Sequence, residues 1–503
     1  MTTQHAILHS PEHPVGRKQA LIAGLFALIS GYCLVFLSDV EMFLVLLIPG
    51  VLMLFFARSD PMKWFLLAPL AIALGYNELT PASIPLLLGV IFLFVAYVVY
   101  FLAKAATLDP IPRMNLFLWL VMASYIAQVV SIFVSIHVHG QHTMNAIREA
   151  HKFFVPVLFP LIIIDWYSKP DWFDRLLKSL VVTLLVISVY GAYQFLSGAA
   201  WSIGEVASGY AIAGRAYATF RGGANAYAGF LELVVPTVLA AAFHFKEKNW
   251  RILCGIAVVL GILNGLYTYS RGGFLTISLS CLAYTFYRFR KVVWVPFFAT
   301  ILFVGVMAGN AEKFNRQLVM LTDPSSVAIE ATVLHRYVTY MGFIRDIKAN
   351  PVTGVGWGAA EYFSSGSSLY SFWEVRHQRS IYPIDYFGGL NSLIFDMLLK
   401  GGAASGLSLL LLMTATVYVS LRAVRAKGKR SDLAVGIVAG IAGFSSHQLV
   451  DNLLQWPQTG TFFWILLGML AVLGMKSADN SYINTDNTDD RHGRERRPEP
   501  LRE

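Results

Sequence analysis

The stretch NLFLWLVMASYIAQVVSIFVSI, residues 115–136, decides the fold class of this chain. It contains no charged side chain, and it is long enough to cross the hydrocarbon core of a bilayer as a helix, which takes about 20 apolar residues. Similar apolar runs recur along the chain without the period-two alternation of a membrane β-barrel. Because a chain in lipid must satisfy its own backbone hydrogen bonds, these runs predict membrane-spanning helices.

The overall composition also indicates a membrane protein. Of 503 residues, 56% are hydrophobic and 14% are charged, and the mean hydropathy is +0.58. A soluble domain of this size needs a more charged surface. The formal net charge of +9 is explained by basic residues that flank membrane spans, so no nucleic-acid partner is expected. The three cysteines, Cys33, Cys254 and Cys281, lie inside apolar runs and are expected to be core residues.

The apolar runs predict an all-α polytopic membrane protein with about 14 transmembrane helices, within a range of about 12–14. The first run follows Arg17 and Lys18 without a small-residue cleavage pattern, so it is interpreted as a retained helix rather than a signal peptide. The predicted spans are 20–37, 42–57, 62–75, 83–103, 115–136, 153–167, 178–197, 226–244, 252–269, 273–287, 292–308, 403–421, 433–455 and 460–475.

Basic residues predict the orientation of these spans. The connections near 38–41, 76–82 and 456–459 carry no Lys or Arg, whereas the connections predicted on the opposite side of the membrane are basic. This pattern predicts that both termini lie in the cytoplasm. The connections predicted to be cytoplasmic carry Arg58, Lys63, Lys104, Arg113, Lys169, Arg175, Lys178, Lys246, Lys248, Arg251, Arg288, Arg290, Lys291, Arg422, Arg425, Lys427, Lys429 and Arg430.

One polar segment, 309–402, is predicted to be a large periplasmic loop, and loops of this length are usually functional. Its last part, 393–399, is apolar except for Asp396 and is expected to return to the membrane as a surface-lying helix. The predicted organisation is a cytoplasmic N-terminus (1–19), a first membrane part (20–308), the loop (309–402), C-terminal membrane helices (403–475) and a polar cytoplasmic tail (476–503) expected to be disordered.

Several cations break the positive-inside pattern because they fall on the predicted outer side. Arg271 is the clearest case, since it lies between two apolar runs with almost no loop. A charge so close to hydrocarbon is costly unless it faces a polar cavity or a partner, although snorkelling to headgroups would also explain it. The others are Arg148, Lys152, Arg215 and Arg221, and in the large loop Arg316, Arg336, Arg345, Arg376 and Arg379.

These arginines suit a lipid-linked diphosphate. The planar guanidinium matches phosphate oxygens, and two or three such contacts could hold a diphosphate and stabilise it as a leaving group without a metal or other cofactor. His137, His139 and His142 form a loose group after the fifth span, but they are interpreted as interfacial residues rather than metal ligands.

Three local patterns stand out along the chain: GRAYATF (214–220) with Asn225 after it, SRGGFL (270–275) and NPVTGVG (350–356). Together they resemble the bacterial O-antigen ligase and polysaccharide polymerase (Wzy-type) superfamily. GRAYATF (214–220), followed by Asn225 and a helix, is similar to the Arg-x-x-Gly-Thr-Phe segment and the Asn-x-x-Ala element of that family. SRGGFL (270–275) matches its Ser-Arg-Gly signature, and NPVTGVG (350–356) is similar to its Pro-Leu-x-Gly-x-Gly element. The order of these elements and the position of the loop also agree, and the resemblance covers about residues 200–475.

The resemblance implies a GT-C-like glycosyltransferase of the bacterial inner membrane that takes a glycan from an undecaprenyl diphosphate donor on the periplasmic face. Ligases of the family pass the glycan to lipid A–core, and polymerases pass it to another lipid-linked unit. It further implies that Arg271 and either Arg215 or Arg221 contact the diphosphate. Arg148, as another cation on the predicted outer side, is a further diphosphate candidate, and Asn225, Arg336, Arg376 and Arg379 are candidate substrate contacts. A chain-length regulator or other assembly proteins are expected as partners.

One departure from the family concerns its His-Asn pair at the end of the loop. Here Leu390 stands in the place of the histidine, before Asn391, which favours a polymerase over a ligase. His377 is a candidate to act instead, and a solvated loop face is the competing interpretation of His377 and its arginine neighbours. Asp451 is a further candidate base. It lies four residues after His447, so the two share one helix face if the helix continues. These two residues, and likewise Glu232, either line a polar cavity or form hydrogen bonds that only pack helices together.

Two other classes of protein remain as alternatives. A polysaccharide or lipid transporter would carry intramembrane charges along a path through the bilayer, whereas the unusual cations here fall on one predicted face. A non-catalytic scaffold would not need Arg271. Polymerisation of O-antigen or exopolysaccharide units is therefore the preferred prediction, with the ligase reaction as its nearest alternative.

Overall fold

A computed structural model of the chain describes residues 66, 68–74, 115–140, 146, 159–167, 170–198, 215–220, 223–289, 344, 346–357, 392–425 and 429–489. The chain divides into two compact units, of which the first comprises Met1–Ala68 and Ser83–Arg113. Only Leu66 and Ala68 of that unit are described. The second unit, Pro69–Ala82 with Met114–Glu503, contains the helices and contacts discussed below.

All regular secondary structure in the described residues is α-helical. The apolar runs form continuous helices because each backbone group then finds its partner within the same segment. The described helices are α1 (Ala68–Leu74), α2 (Leu116–Val138), α3 (Phe159–Trp166), α4 (Pro170–Leu196), α5 (Gly223–His244), α6 (Lys248–Tyr267), α7 (Arg271–Phe289), α8 (Leu393–Val424), α9 (Lys429–His447) and α10 (Pro457–Asp489).

Six helices are long and apolar enough to cross a membrane, by length and composition: Leu116–Val138, Asp171–Leu196, Gly223–His244, Lys248–Tyr267, Leu393–Val424 and Gln458–Met475. They coincide with six predicted spans, so the prediction of a helical multi-pass membrane protein is confirmed. Four further predicted spans overlap the described helices α1, α3, α7 and α9. The predicted spans 20–37, 42–57, 83–103 and 292–308 lie outside the described residues.

Helix α5 is the centre of the bundle and packs against α4, α6, α7, α9 and α10. Small residues allow the close approach: a Cβ on Gly436 of α9 would lie 2.3 Å from Cβ of Ala240, and one on Gly440 would lie 2.7 Å from the carbonyl oxygen of Leu233. This Gly-x-x-x-Gly spacing is the usual way in which membrane helices pack backbone to backbone. Cys254 and Cys281 are buried free thiols, as expected.

Three ion pairs join helix ends that the distribution of basic residues predicts to lie on the same side of the membrane. Lys178 of α4 contacts Glu247 at 3.0 Å, His244 contacts Asp174 at 2.9 Å, and Arg288 contacts Asp432 at 3.5 Å. The hydrogen bond from Lys178 lowers the pKa of the exposed Glu247 carboxyl. Asn225 of α5 and Arg271 of α7 begin the helices whose other ends carry His244 and Arg288, so they lie at the opposite end of the bundle.

Several helix ends differ from the predicted boundaries, including the following three. Helix α8 begins at Leu393 and is kinked at Gly402, and Leu399 in its first part packs against Ile347 and Val355. Helix α9 ends at His447, earlier than the predicted span 433–455. Helix α10 continues to Asp489, past the predicted start of the tail.

Candidate functional site

The candidate site lies where the first turn of α5, the α6–α7 connection and the segment after α9 meet. Asn225 and Glu232 are seven residues apart and lie on one face of α5. Residues far apart in sequence bind to this face: Arg215 and Asp451 at Asn225, and His447 at Glu232. We call these five residues the α5 cluster.

Three residues of the α5 cluster form a hydrogen-bonded chain. Arg215 donates from Nη2 to Oδ1 of Asn225 at 3.1 Å, and Asn225 donates from Nδ2 to Oδ2 of Asp451 at 2.8 Å. Arg215 also donates from Nε to the carbonyl oxygen of Thr268 at 2.8 Å. The guanidinium is thereby tied to the end of α6, three residues before Arg271 in the sequence.

The segment that carries Arg215 is held by backbone contacts. The amide of Ala216 donates to the carbonyl oxygen of Tyr267 at 2.9 Å. The buried side chain of Gln194 brackets the next two residues: its Oε1 accepts from the amide of Tyr217, and its Nε2 donates to the carbonyl oxygen of Ala218 at 2.8 Å. Ala218 has φ 48°, a left-handed conformation that costs a non-glycine residue about 1–3 kcal/mol and persists where neighbours impose it.

The short connection between α6 and α7 carries Arg271. Tyr269 turns the chain with φ 50°, and Ser270 accepts a hydrogen bond from the amide of Gly273 at 3.3 Å, which caps the start of α7. Arg271 is the first residue of α7 and is exposed. It has no hydrogen-bond or ion-pair partner among the described residues. A cation beside the amide groups of a helix N-terminus suits an anion.

Glu232 and His447 form a buried pair next to this helix start. Nδ1 of His447 lies 2.6 Å from Oε1 of Glu232, and both side chains are almost fully buried. A Cβ on Gly272 would lie 2.6 Å from Nε2 of His447, and one on Gly273 would lie 2.4 Å from Cβ of Ala228. The two glycines of the SRGGFL motif thus let α7 approach the imidazole ring and α5.

A second polar group lies one residue beyond Asp451. Asn452 donates from Nδ2 to Oδ2 of Asp396 at 2.7 Å, and the ammonium of Lys400 lies 2.7 Å from Oδ1 of the same carboxylate. The side chain of Asp396 is fully buried, and that of Lys400 is 12% exposed. Lys400 also lies over the ring of Trp357, at 5.6 Å from its centroid. The loop residue Trp357 is thus linked to the segment that carries Asp451.

The NPVTGVG segment docks on the kink of α8. The amides of Val355 and Gly356 donate to the carbonyl oxygens of Leu399 and Lys400 at 2.8 and 2.9 Å, and Ala403 donates to Val352 at 3.0 Å. Gly402 has φ 57° and ψ −145°, and a Cβ there would lie 2.3 Å from the carbonyl oxygen of Val352. These glycines allow loop and helix backbones to pair where α8 is broken.

The structure brings together three of the predicted site residues, Arg215, Asn225 and Asp451, and places Arg271 on the adjoining turn. Asp451 does not continue α9 with His447, but both side chains still reach the same face of α5. The remaining predicted residues lie outside the described part of the chain: Arg148, Arg221, Arg336, Arg376, His377, Arg379 and Asn391.

Two features of the site were not found from the sequence. Lys400 was overlooked, although its spacing of four from Asp396 in an apolar stretch is the pattern of a helical ion pair. The role of Gln194 depends on contacts with backbone and has no sequence signal. Within the described residues, no group of three or more His, Cys, Asp or Glu side chains is placed to hold a metal ion.

Chemically, the site joins an arginine, an amide and a carboxylate in a fixed order, with a second arginine beside them. The arginines can stabilise negative charge that develops on a leaving group, and the half-buried carboxylate of Asp451 can accept a proton. No protein-family model and no curated protein matches the chain.

Proposed function

We propose that this chain transfers a glycan from an undecaprenyl diphosphate-linked donor, at the extracytoplasmic face of a bacterial inner membrane. The preferred reaction is polymerisation of O-antigen or exopolysaccharide repeat units. The acceptor hydroxyl would attack the anomeric carbon with inversion, and undecaprenyl diphosphate would leave. Its membrane helices, GT-C-like in this proposal, would present the lipid donor to the α5 cluster.

The observation that supports this proposal most is the contact between Arg215, Asn225 and Asp451 beside the turn that carries Arg271. The first two patterns of the family resemblance, which are separated in sequence, share one site. Since a diphosphate leaving group carries negative charge that grows as the bond breaks, the guanidinium groups of Arg215 and Arg271 would lower the barrier if both contact it. Asp451 is the described carboxylate best placed to take the proton of the acceptor hydroxyl.

The proposal is tested in the native host with Arg271→Ala. We expect normal insertion of the variant and loss of long-chain polysaccharide on a gel. The matched control is Arg251→Ala, which removes an exposed arginine from the start of α6, at the opposite end of the bundle. Unchanged glycan in Arg271→Ala, with protein present in the membrane, would contradict the proposal.

The same gel separates the two acceptors. A loss of every band above a single repeat indicates a polymerase, whereas a full ladder that stays on the carrier lipid indicates a ligase. Leu390, which stands where the family carries a histidine, supports the polymerase.

A transporter of polysaccharide or lipid is the second candidate, and one observation favours it. The Glu232–His447 and Asp396–Lys400 pairs are ionisable groups with buried carboxyl side chains among apolar helices, and such groups often line transport pathways. A transporter would move the lipid-linked glycan between leaflets and leave its glycosidic bonds unchanged. Detection of a new glycosidic bond with the purified chain therefore distinguishes the two functions.

A further inference from the structure

The imidazole of His447 occupies the space between α5 and the start of α7. On one side its Nδ1 contacts Oε1 of Glu232 at 2.6 Å. On the other side the ring lies against Gly272, whose hypothetical Cβ would be 2.6 Å from Nε2 and 2.9 Å from Cδ2. The ring therefore sets how closely the first turn of α7 approaches α5.

The backbone of His447 contacts the other part of the site. Its carbonyl oxygen accepts a hydrogen bond from the amide of Asp451 at 2.9 Å and one from the amide of Val450 at 3.0 Å. These bonds form the turn that follows α9 and aim Asp451 at Asn225. One residue thus contacts both the turn that holds Asp451 and the helix that begins with Arg271.

The pair with Glu232 restricts where the ring can lie. Both side chains are almost fully buried, and Oε2 of Glu232 has no hydrogen-bond partner among the described residues. If the ring moved away, the carboxylate would lose its hydrogen bond at Oε1 as well, and a buried polar group without a partner is costly. The pair therefore holds the ring against Gly272.

We propose that Glu232 and His447 are positioning residues for the diphosphate site: they fix the start of α7, and with it Arg271, relative to Asp451. This inference rests on the proposed function. It assigns no proton transfer to the pair. Arg271 is exposed and has no partner among the described residues, so its location follows from where α7 begins.

Binding of farnesyl diphosphate to the purified full chain in nanodiscs tests the inference. His447→Ala is made in the native chain and in the Arg271→Ala background. In the native chain, His447→Ala should raise Kd about tenfold, which is the size of one weakened charge-assisted contact. In the Arg271→Ala background, the same substitution should change Kd by less than about twofold. Glu232→Gln should stay within about threefold of the native Kd, because its amide can still pair with the ring.

Gly272→Ala provides a second, independent variant. It adds a Cβ in the space of the ring and leaves both side chains of the pair in place, so it should raise Kd by about the same factor as His447→Ala, again only when Arg271 is present. Gly255→Ala is the matched control, because a Cβ there meets nothing within 4 Å and the native Kd is expected. If His447→Ala does not insert, the Gly272→Ala comparison decides the question.

The outcomes separate the inference from the proposed function. If the variants weaken binding equally with and without Arg271, or if they keep the native Kd and lose glycan transfer, the positioning role is wrong while the proposed function stands. If Arg271→Ala itself binds farnesyl diphosphate as the native chain does, the proposed diphosphate site fails, whatever His447 does.

Discussion

The side chain of Asn225 donates a hydrogen bond from Nδ2 to Oδ2 of Asp451 at 2.8 Å, across 226 positions of sequence. Its Oδ1 accepts from Arg215 at 3.1 Å, so the amide has a defined orientation between a cation and an anion. The amide of Asn225 thus links the guanidinium of Arg215 to the carboxylate of Asp451. Its removal should therefore affect the contacts of both charged groups.

Asn225→Ala should lower glycan transfer per folded molecule by about tenfold or more. The variant removes two hydrogen bonds to charged groups, each of which contributes about 1.5–3 kcal/mol, and about 1.4 kcal/mol corresponds to a factor of ten. The measurement is the initial rate of glycan transfer in nanodiscs, divided by the concentration of folded protein.

Asn264→Ala is the control for this variant. Asn264 is also a helix asparagine, but it donates to the carbonyl oxygens of Ser188 and Leu260. It should lower the midpoint of thermal unfolding and leave the rate per folded molecule unchanged. Equal loss of rate in both variants would show that Asn225 has only a structural role.

The amino-acid sequence was sufficient to predict a helical membrane protein. It marks Arg215 and Arg271 as candidates because they are cations on the predicted outer side, and it marks Asn225 through the family resemblance. Their mutual contacts could not be predicted, because pairing with Asp451 depends on how α5 and the segment after α9 pack. The same holds for the contact of His447 with Glu232.

The end of α9 shows why a boundary was missed. Leu449, Val450, Leu453 and Leu454 continue the apolar run, so hydrophobicity alone predicts a longer helix. In the structure Gln448 accepts hydrogen bonds at Oε1 from the amides of Leu453 and Leu454 at 3.0 and 3.4 Å. A side chain thus replaces the helical partner of these amides, and such local competition has no periodic signal.

Gly402→Ala should destabilise the chain by about 1–3 kcal/mol or more, because the residue has φ 57° and its Cβ would meet the carbonyl oxygen of Val352. Thermal unfolding in detergent measures the effect. Gly255→Ala, in open space, is the control and should not lower the midpoint. A native midpoint for Gly402→Ala would contradict the pairing of the loop with the kink of α8.

Lys400→Met should cost about 3–5 kcal/mol of stability, since it leaves the carboxylate of Asp396 buried without its cation. Adding Asp396→Asn should restore most of the loss, because no uncompensated charge then remains and the amide can still bond to Asn452. The control is Lys178→Met, at a pair whose carboxylate partner is exposed, where only a small change is expected. If the double variant is no more stable than Lys400→Met, the loss is not due to the unpaired carboxylate.

Trp357→Phe should cost less than Trp357→Ala. The indole Nε1 donates to Ser131 at 2.9 Å and to Ser405 at 3.3 Å, but these two hydroxyls also bond to each other, so phenylalanine loses about 0.5–1.5 kcal/mol. Alanine also leaves a cavity and should cost about 3–5 kcal/mol. Thermal unfolding of both variants measures the difference, and equal midpoints would show that the ring is not packed between α2 and α8.

Release of undecaprenyl diphosphate from a lipid-linked oligosaccharide by the purified chain in nanodiscs tests the central claim most directly. We predict release that depends on an acceptor glycan. We also predict that Arg215→Lys lowers the rate by about tenfold or more, because an ammonium cannot bond to Thr268 and Asn225 in the geometry of the guanidinium. Absence of release by the native chain with any lipid-linked acceptor, or a native rate in both Arg215→Lys and Arg271→Ala, would contradict the account.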